Sequence, residues 1–195
     1  METGDYVTDT MAENTEKLDS YITDMLALET HIHMALASQT ADLDEHSEFT
    51  AVLVRIRTTC ETHVHALETL TQRRAQNVGG ISKLVKKGIA SAFGLGAAAV
   101  DFIRTEKLPK NLRDDYTAIS LAYIGNLMLH TAALTFHDTE VADLARTHLN
   151  QHAQSMMAMQ HAIPAATVAF LASEGVEIDA TVLPEIEKTI RAAWN

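Results

Sequence analysis

Residues 27–36 read ALETHIHMAL and set an acid and two histidines inside an otherwise apolar run. The apolar residues around them, Ile22, Met25, Leu26, Ile32 and Leu36, keep a step of about 100° per residue, which predicts an amphipathic helix from about residue 17 to 37. In that phase Glu29 and His33 fall in the apolar stripe, whereas His31 points to the opposite side. An acid and a histidine on the core face of a long helix raise the question of what the remaining helices set against them.

Three more long helices are predicted. Phe49, Val52, Leu53, Ile56, Val64, Leu67 and Leu70 share a face of the second, which starts from a cap region at Asp44 to Ser47 and stops at Asn77-Val78-Gly79-Gly80. The third begins around Leu112 to Asp115 and runs through Tyr116, Ile119, Leu127 and Leu134. After His137-Asp138-Thr139, with Asp138 as N-cap, the fourth carries Val141, Leu144, Met156, Met159 and Ile163, is kinked or restarted at Pro164, and continues to about Ser173. Pro184 marks the start of a short final helix. Residues 1–16 read as a polar N-terminal tail, 17–174 as the bundle with a crossover over 78–110, and 175–195 as a C-terminal short helix. Short links join the first to the second and the third to the fourth, and a long one joins the second to the third. That layout is an all-α, ferritin-like four-helix bundle, although periodicity alone leaves an ordinary up-down-up-down bundle open.

A formal net charge of −11 argues against a general nucleic-acid binder and suits a self-repelling soluble protein. Ten histidines bring that charge close to zero on protonation, so charge-dependent behaviour changes between roughly pH 7 and 5. Cys60 is the only cysteine, the start of the chain has no signal-peptide pattern, and no uncharged apolar run is long enough to span a membrane. A cytoplasmic chain is expected, oligomeric through an apolar surface that the sequence does not locate.

Helical phase also sorts the polar residues. Cys60 and His63 lie in the second stripe, Tyr123 and His130 in the third with Asn126 at its edge, and His148 and His152 in the fourth with Gln151 at its edge. Di-iron and di-manganese bundles place one Glu on each of two helices and Glu-x-x-His on the other two. Here only Glu29 is an inward acid, and Cys60 stands where one such motif has its Glu. Oxygen-activating di-iron chemistry therefore lacks its carboxylates, and no enzymatic activity is expected. A metal held by Glu29, His33, His63, His130, His148 and His152, with or without Cys60, would be Zn, Cu or Ni more readily than a carboxylate-bridged iron pair. The bland alternative is a hydrogen-bonded polar layer in a helical core.

These residues resemble the ferritin-like stress proteins of the bacterial YciE/YciF group from about residue 20 to 165. LALETHIHMAL (26–36) is similar to that family's first-helix segment, and the resemblance implies that Glu29 is its ligand Glu. THVHALETL (62–70) resembles the second-helix segment, with His63 at a ligand position. NLRDDYTAISLAYIGNLMLHTAALTFHDTEVADLARTHL (111–149) looks like a branch in which the third and fourth helices have lost acids, with Tyr123, Asn126, Gln151 and His152 in their places. The resemblance implies the fold, a stress association and metal binding, with Fe among the candidate metals.

Residues 79–110, GGISKLVKKGIASAFGLGAAAVDFIRTEKLPK, form a basic island in an acidic chain. They read as a crossover helix covering one flank of the bundle, or as a module for self-association or an anionic membrane surface.

Overall fold

Apolar side chains recurring every three or four residues wind the chain into helices, and a computed structural model describes residues 3–41, 48–77 and 107–193 of it. Among the described residues there are five helices and no strand: α1 (Thr3–Ala41), α2 (Glu48–Asn77), α3 (Lys107–Thr135), α4 (Thr139–Ser173) and α5 (Val182–Ala193). The helix starts differ from expectation at two places. α1 begins at Thr3, so most of the polar segment expected to be a tail is helical, and no proline stands there to break it. α3 begins at Lys107 with Pro109 in its first turn, where a missing N–H costs no helical hydrogen bond. The Asp44 to Ser47 cap and residues 78–106 of the expected crossover lie outside the described residues.

Side-chain pairs set the topology. Thr40 meets Arg57, Glu29 meets His63 and Asp19 meets Arg74, so α1 and α2 are antiparallel. Gln39 meets Asp115, and a Cβ at Gly125 would come within 2.5 Å of Met25 Sδ, so α1 and α3 are antiparallel too. Arg73 with Glu140 and His63 with Gln151 make α2 and α4 antiparallel, and Tyr116 with Gln160 and His130 with Ala142 do the same for α3 and α4. α1 packs on α2 and α3, and α4 packs on those same two helices. Therefore α2 and α3 sit across the bundle from each other and run parallel. That parallel pair sets the arrangement apart from the plain up-down-up-down one, in which consecutive helices are antiparallel.

The core is built from Leu18, Ile22, Leu26, Ile32 and Leu36 of α1, Leu53, Ile56, Leu67 and Leu70 of α2, Leu112, Ile119 and Leu129 of α3, and Val141 and Met159 of α4. The phase of α3 is a correction: Leu127 and Leu134, expected inside, are 43% and 55% exposed, while Ala122, Asn126 and Ala133 face the core. From Tyr116 on, both sides of this helix are uncharged, so hydrophobicity alone could not choose between them. α4 starts at Asp138, whose side chain accepts from Val141 N, and runs as one helix through Pro164. It ends where Gly175, at φ 86°, allows Val176 N–H to reach the Leu171 carbonyl.

By length and mean hydropathy, Leu108–Thr135 and Thr139–Ser173 are long and apolar enough to cross a membrane, against the expectation that no segment would be. Their hydropathy is spread between Ser, Thr, Asn and His residues, so no continuous apolar run betrays it. Asp115 and Asn126 on the first, and His148 and His152 on the second, are turned into the bundle core.

Arg74 closes one end of the bundle, donating from Nε to Asp19 at 2.5 Å and from Nη1 to Asp138 at 2.6 Å. The guanidinium side chain is 17% exposed, so the two charge-assisted bonds are screened less than surface pairs. Arg74→Met is expected to cost about 1–2 kcal/mol, between the values for exposed and fully buried pairs. Thermal melts check this against Arg146→Ala, which removes an exposed pair with Asp143 and should change little.

Candidate metal centre

Against the expectation that Glu29 alone points inward, Asp115 on α3 is a second buried acid, bonded to Gln39; Glu29 is the one around which the histidines are arranged. α1 carries it one turn beyond Leu26 and Met25, and the tight packing there leaves its carboxylate fully buried. Oε1 accepts from His152 Nε2 at 2.5 Å and from His63 Nδ1 at 3.1 Å. His63 Nε2 pairs with Gln151 Oε1 at 2.7 Å. The His63 ring stacks on His148, with centroids 3.8 Å apart and planes 16° apart, and meets His152 edge-on at 4.8 Å. Three helices thus supply the cluster: α1 gives Glu29, α2 gives His63, and α4 gives His148, Gln151 and His152 by their one-turn spacing.

Electrostatics hold the acid charged and one imidazole neutral. Burial pushes the Glu29 carboxyl upward, but the hydrogen bonds from His152 and His63 and their charge overcome it and bring it to about 2. Burial, reinforced by His63 against the opposing pull of Glu29, lowers His148 to about 3. His148 therefore keeps a free lone pair at neutral pH, the form in which imidazole binds a metal. Cys60 is fully buried, and burial together with the neighbouring Glu29 charge raises its thiol well above the usual range. It stays a protonated thiol, which is a poor ligand and a poor nucleophile.

Several polar atoms in and around this layer have no partner: Glu29 Oε2, His148 Nδ1, His152 Nδ1 and Asn126 Oδ1 are all buried without a hydrogen bond. Glu29, His63 and His148 each offer a ligand atom, and these atoms lie within 4.8 Å of one another. On a single tetrahedral Zn²⁺ with bonds of about 2.0–2.1 Å, ligand atoms stand roughly 3.3 Å apart. The group would close on such an ion through on the order of 1 Å of side-chain movement, with His63 giving up one of its present partners.

The residues expected from sequence divide clearly. Glu29, His63, His148 and His152 come together, with Cys60 beside Glu29 as a neutral thiol. His33 and His130 do not join them: His33 Nδ1 lies 3.5 Å from the Arg57 carbonyl, and His130 Nδ1 donates to the Ala142 carbonyl at 2.8 Å. His31 is half-buried outside the cluster. Asn126 and Gln151 were placed at stripe edges by phase alone; Asn126 is fully buried, its amide bonded to the Ala122 carbonyl, and Gln151 anchors His63. The sequence signal for Gln151 was its adjacency to His152 and one-turn distance from His148.

No protein-family model and no curated protein matches this sequence. Among solved structures, a protein of Xanthomonas campestris pv. campestris is similar in fold, with a TM-score of 0.65 and 17% identity over 84% of this chain and 99% of that one. At that identity the likeness bears on the fold alone, and it supports an all-α helical bundle for this chain.

Proposed function

We propose that this chain is a non-enzymatic, ferritin-like bundle protein that binds one divalent transition metal in its core through Glu29, His63 and His148, with His152 and Gln151 orienting them. The observation that carries the reading is a buried Glu-His-His group whose Glu29 Oε2 and His148 Nδ1 have no partner. Buried polar atoms are rarely left unpaired, and a cation held by this group would supply Glu29 and His148 with a further partner. The parallel α2 and α3 support the ferritin-like lineage, in which Glu29 is the retained carboxylate.

One carboxylate among imidazoles suits Zn²⁺, Cu²⁺ or Ni²⁺ and cannot neutralise two hard cations, so ferroxidase chemistry is not proposed. At metal concentrations near a hundred times Kd, binding adds about 2.7 kcal/mol to the folded state. Titration of metal-free protein with Zn²⁺ or Co²⁺ should raise Tm by several degrees with one equivalent bound. His148→Ala should abolish both effects. Neither a thermal shift nor bound metal in the wild-type protein would leave the cluster as a hydrogen-bonded core layer.

A further inference from the structure

α3 turns an apolar, uncharged seam to solvent. Thr117, Leu121, Ile124, Met128, Thr131 and Thr135 are all exposed and follow one another at alternating steps of four and three residues. That is the a/d spacing by which one helix packs knobs into the holes of another. Leu127 and Leu134 flank the line, and from Tyr116 to Thr135 the chain carries no Asp, Glu, Lys or Arg. Leu121 is 59% exposed, Met128 51% and Ile124 49%.

The polar atoms in the seam are already satisfied. The hydroxyls of Thr117, Thr131 and Thr135 donate to the carbonyls of Arg113, Leu127 and Thr131 on their own helix, leaving the methyl groups outward. Covering this face therefore strands no side-chain donor, and the desolvation cost that opposes burial of polar surfaces is small.

We infer that this face of α3 is a homodimer interface, in which the seam packs on the same seam of a second copy about a two-fold axis. Two features favour a second copy over a lipid surface. The narrow four-three spacing fits one partner helix and not a broad apolar plane. The charges nearest the seam along the chain are of mixed sign, Lys110, Arg113, Asp114 and Asp115 before it and Asp138 and Glu140 after it, and the chain's net charge of −11 repels anionic lipid. An uncharged seam also lets two such chains meet without direct repulsion. Five half-exposed aliphatic side chains and three threonines offer on the order of 700 Å² per copy, close to the ~800 Å² per partner of a stable interface.

Sedimentation of the full-length wild-type chain is expected to give a dimer, and Ile124→Glu and Met128→Glu a monomer with unchanged helicity by circular dichroism. Ile124→Cys and Met128→Cys, made singly, should place a thiol near its own copy, so that at least one forms an interchain disulfide on oxidation. The native thiol is buried and does not compete. If a charge variant fails to fold, the cysteine variants decide. A monomeric wild type overturns the proposal, as does a dimer indifferent to the charges that yields no crosslink. A monomer that co-sediments with anionic vesicles overturns it in favour of a membrane surface. A monomer that does not reassigns the seam to another part of the same chain.

Discussion

Replacing Glu29 by alanine lowers the stability of the metal-free protein by about 3–5 kcal/mol, the range for removing one partner from a buried charged group. The loss is large because Glu29 Oε1 is the shared acceptor for His63 and His152, both fully buried. Without it two imidazoles keep their desolvation cost and lose their acceptor. In a domain of this size the change corresponds to a fall in Tm of roughly 10 °C. Glu29→Gln retains an acceptor for one imidazole and should cost less, about 1–3 kcal/mol. The carboxyl is held at about 2 in the folded chain, so its contribution is fully present above the ordinary carboxylate range and is lost as pH falls toward 2. The gap between wild type and Glu29→Ala should accordingly narrow in acid. Thermal melts in chelator across that range check the result, and a loss below about 1 kcal/mol at neutral pH would mean that water replaces the carboxylate at little cost.

Asp115→Asn has the opposite sign. Asp115 is buried on α3, where Gln39 donates to Oδ1 and Oδ2 has no partner. Burial raises its carboxyl to about 7, with the Gln39 hydrogen bond opposing and Asp114 adding to the rise. In the unfolded chain the group ionises near 3.8, so between roughly pH 4 and 7 the folded state binds a proton that the unfolded state releases. Stability contributed by this residue is complete below pH 4, declines as pH rises to 7, and is absent above it. A shift of about three units corresponds to roughly 4 kcal/mol. Asp115→Asn removes the titration and should stabilise the protein by a few kcal/mol at pH 8 while changing little at pH 4. Denaturant unfolding at the two pH values measures the difference, and equal effects at both would refute a buried, titrating carboxyl.

How much was legible can be followed along individual helices. On α1 and α2 the apolar stripe and the polar residues within it, Glu29 and His63, were readable because each helix has one apolar side and one charged side; on α4, which carries no Asp, Glu, Lys or Arg after Arg146, His148 and His152 were readable from their shared phase with Val141 and Met159. Asp138 was readable as a cap because a short acceptor at a helix start has a local role. On α3 the same reasoning picked the wrong leucines. Ala122, Asn126, Leu129 and Ala133 join Leu112 and Ile119 in the core there, while Leu127 and Leu134 stand outside. His33 shows the limit within a correct stripe: it shares a helix face with Glu29, yet it sits at the α1–α2 boundary beside the Arg57 carbonyl. A stripe about 100° wide contains both centre and edge, and only the neighbouring helices separate them.

By itself, then, the sequence determined four long helices and a polar core layer around Glu29, because these follow from periodicity and side-chain chemistry within single helices. Tertiary structure alone decided that α2 and α3 run parallel, that Glu29 bonds two imidazoles through one oxygen while the other is unpaired, and that α3 shows its apolar seam to solvent. Each of these depends on the rotation of one helix against another, which is set by packing between residues far apart in the chain and leaves no mark in local spacing.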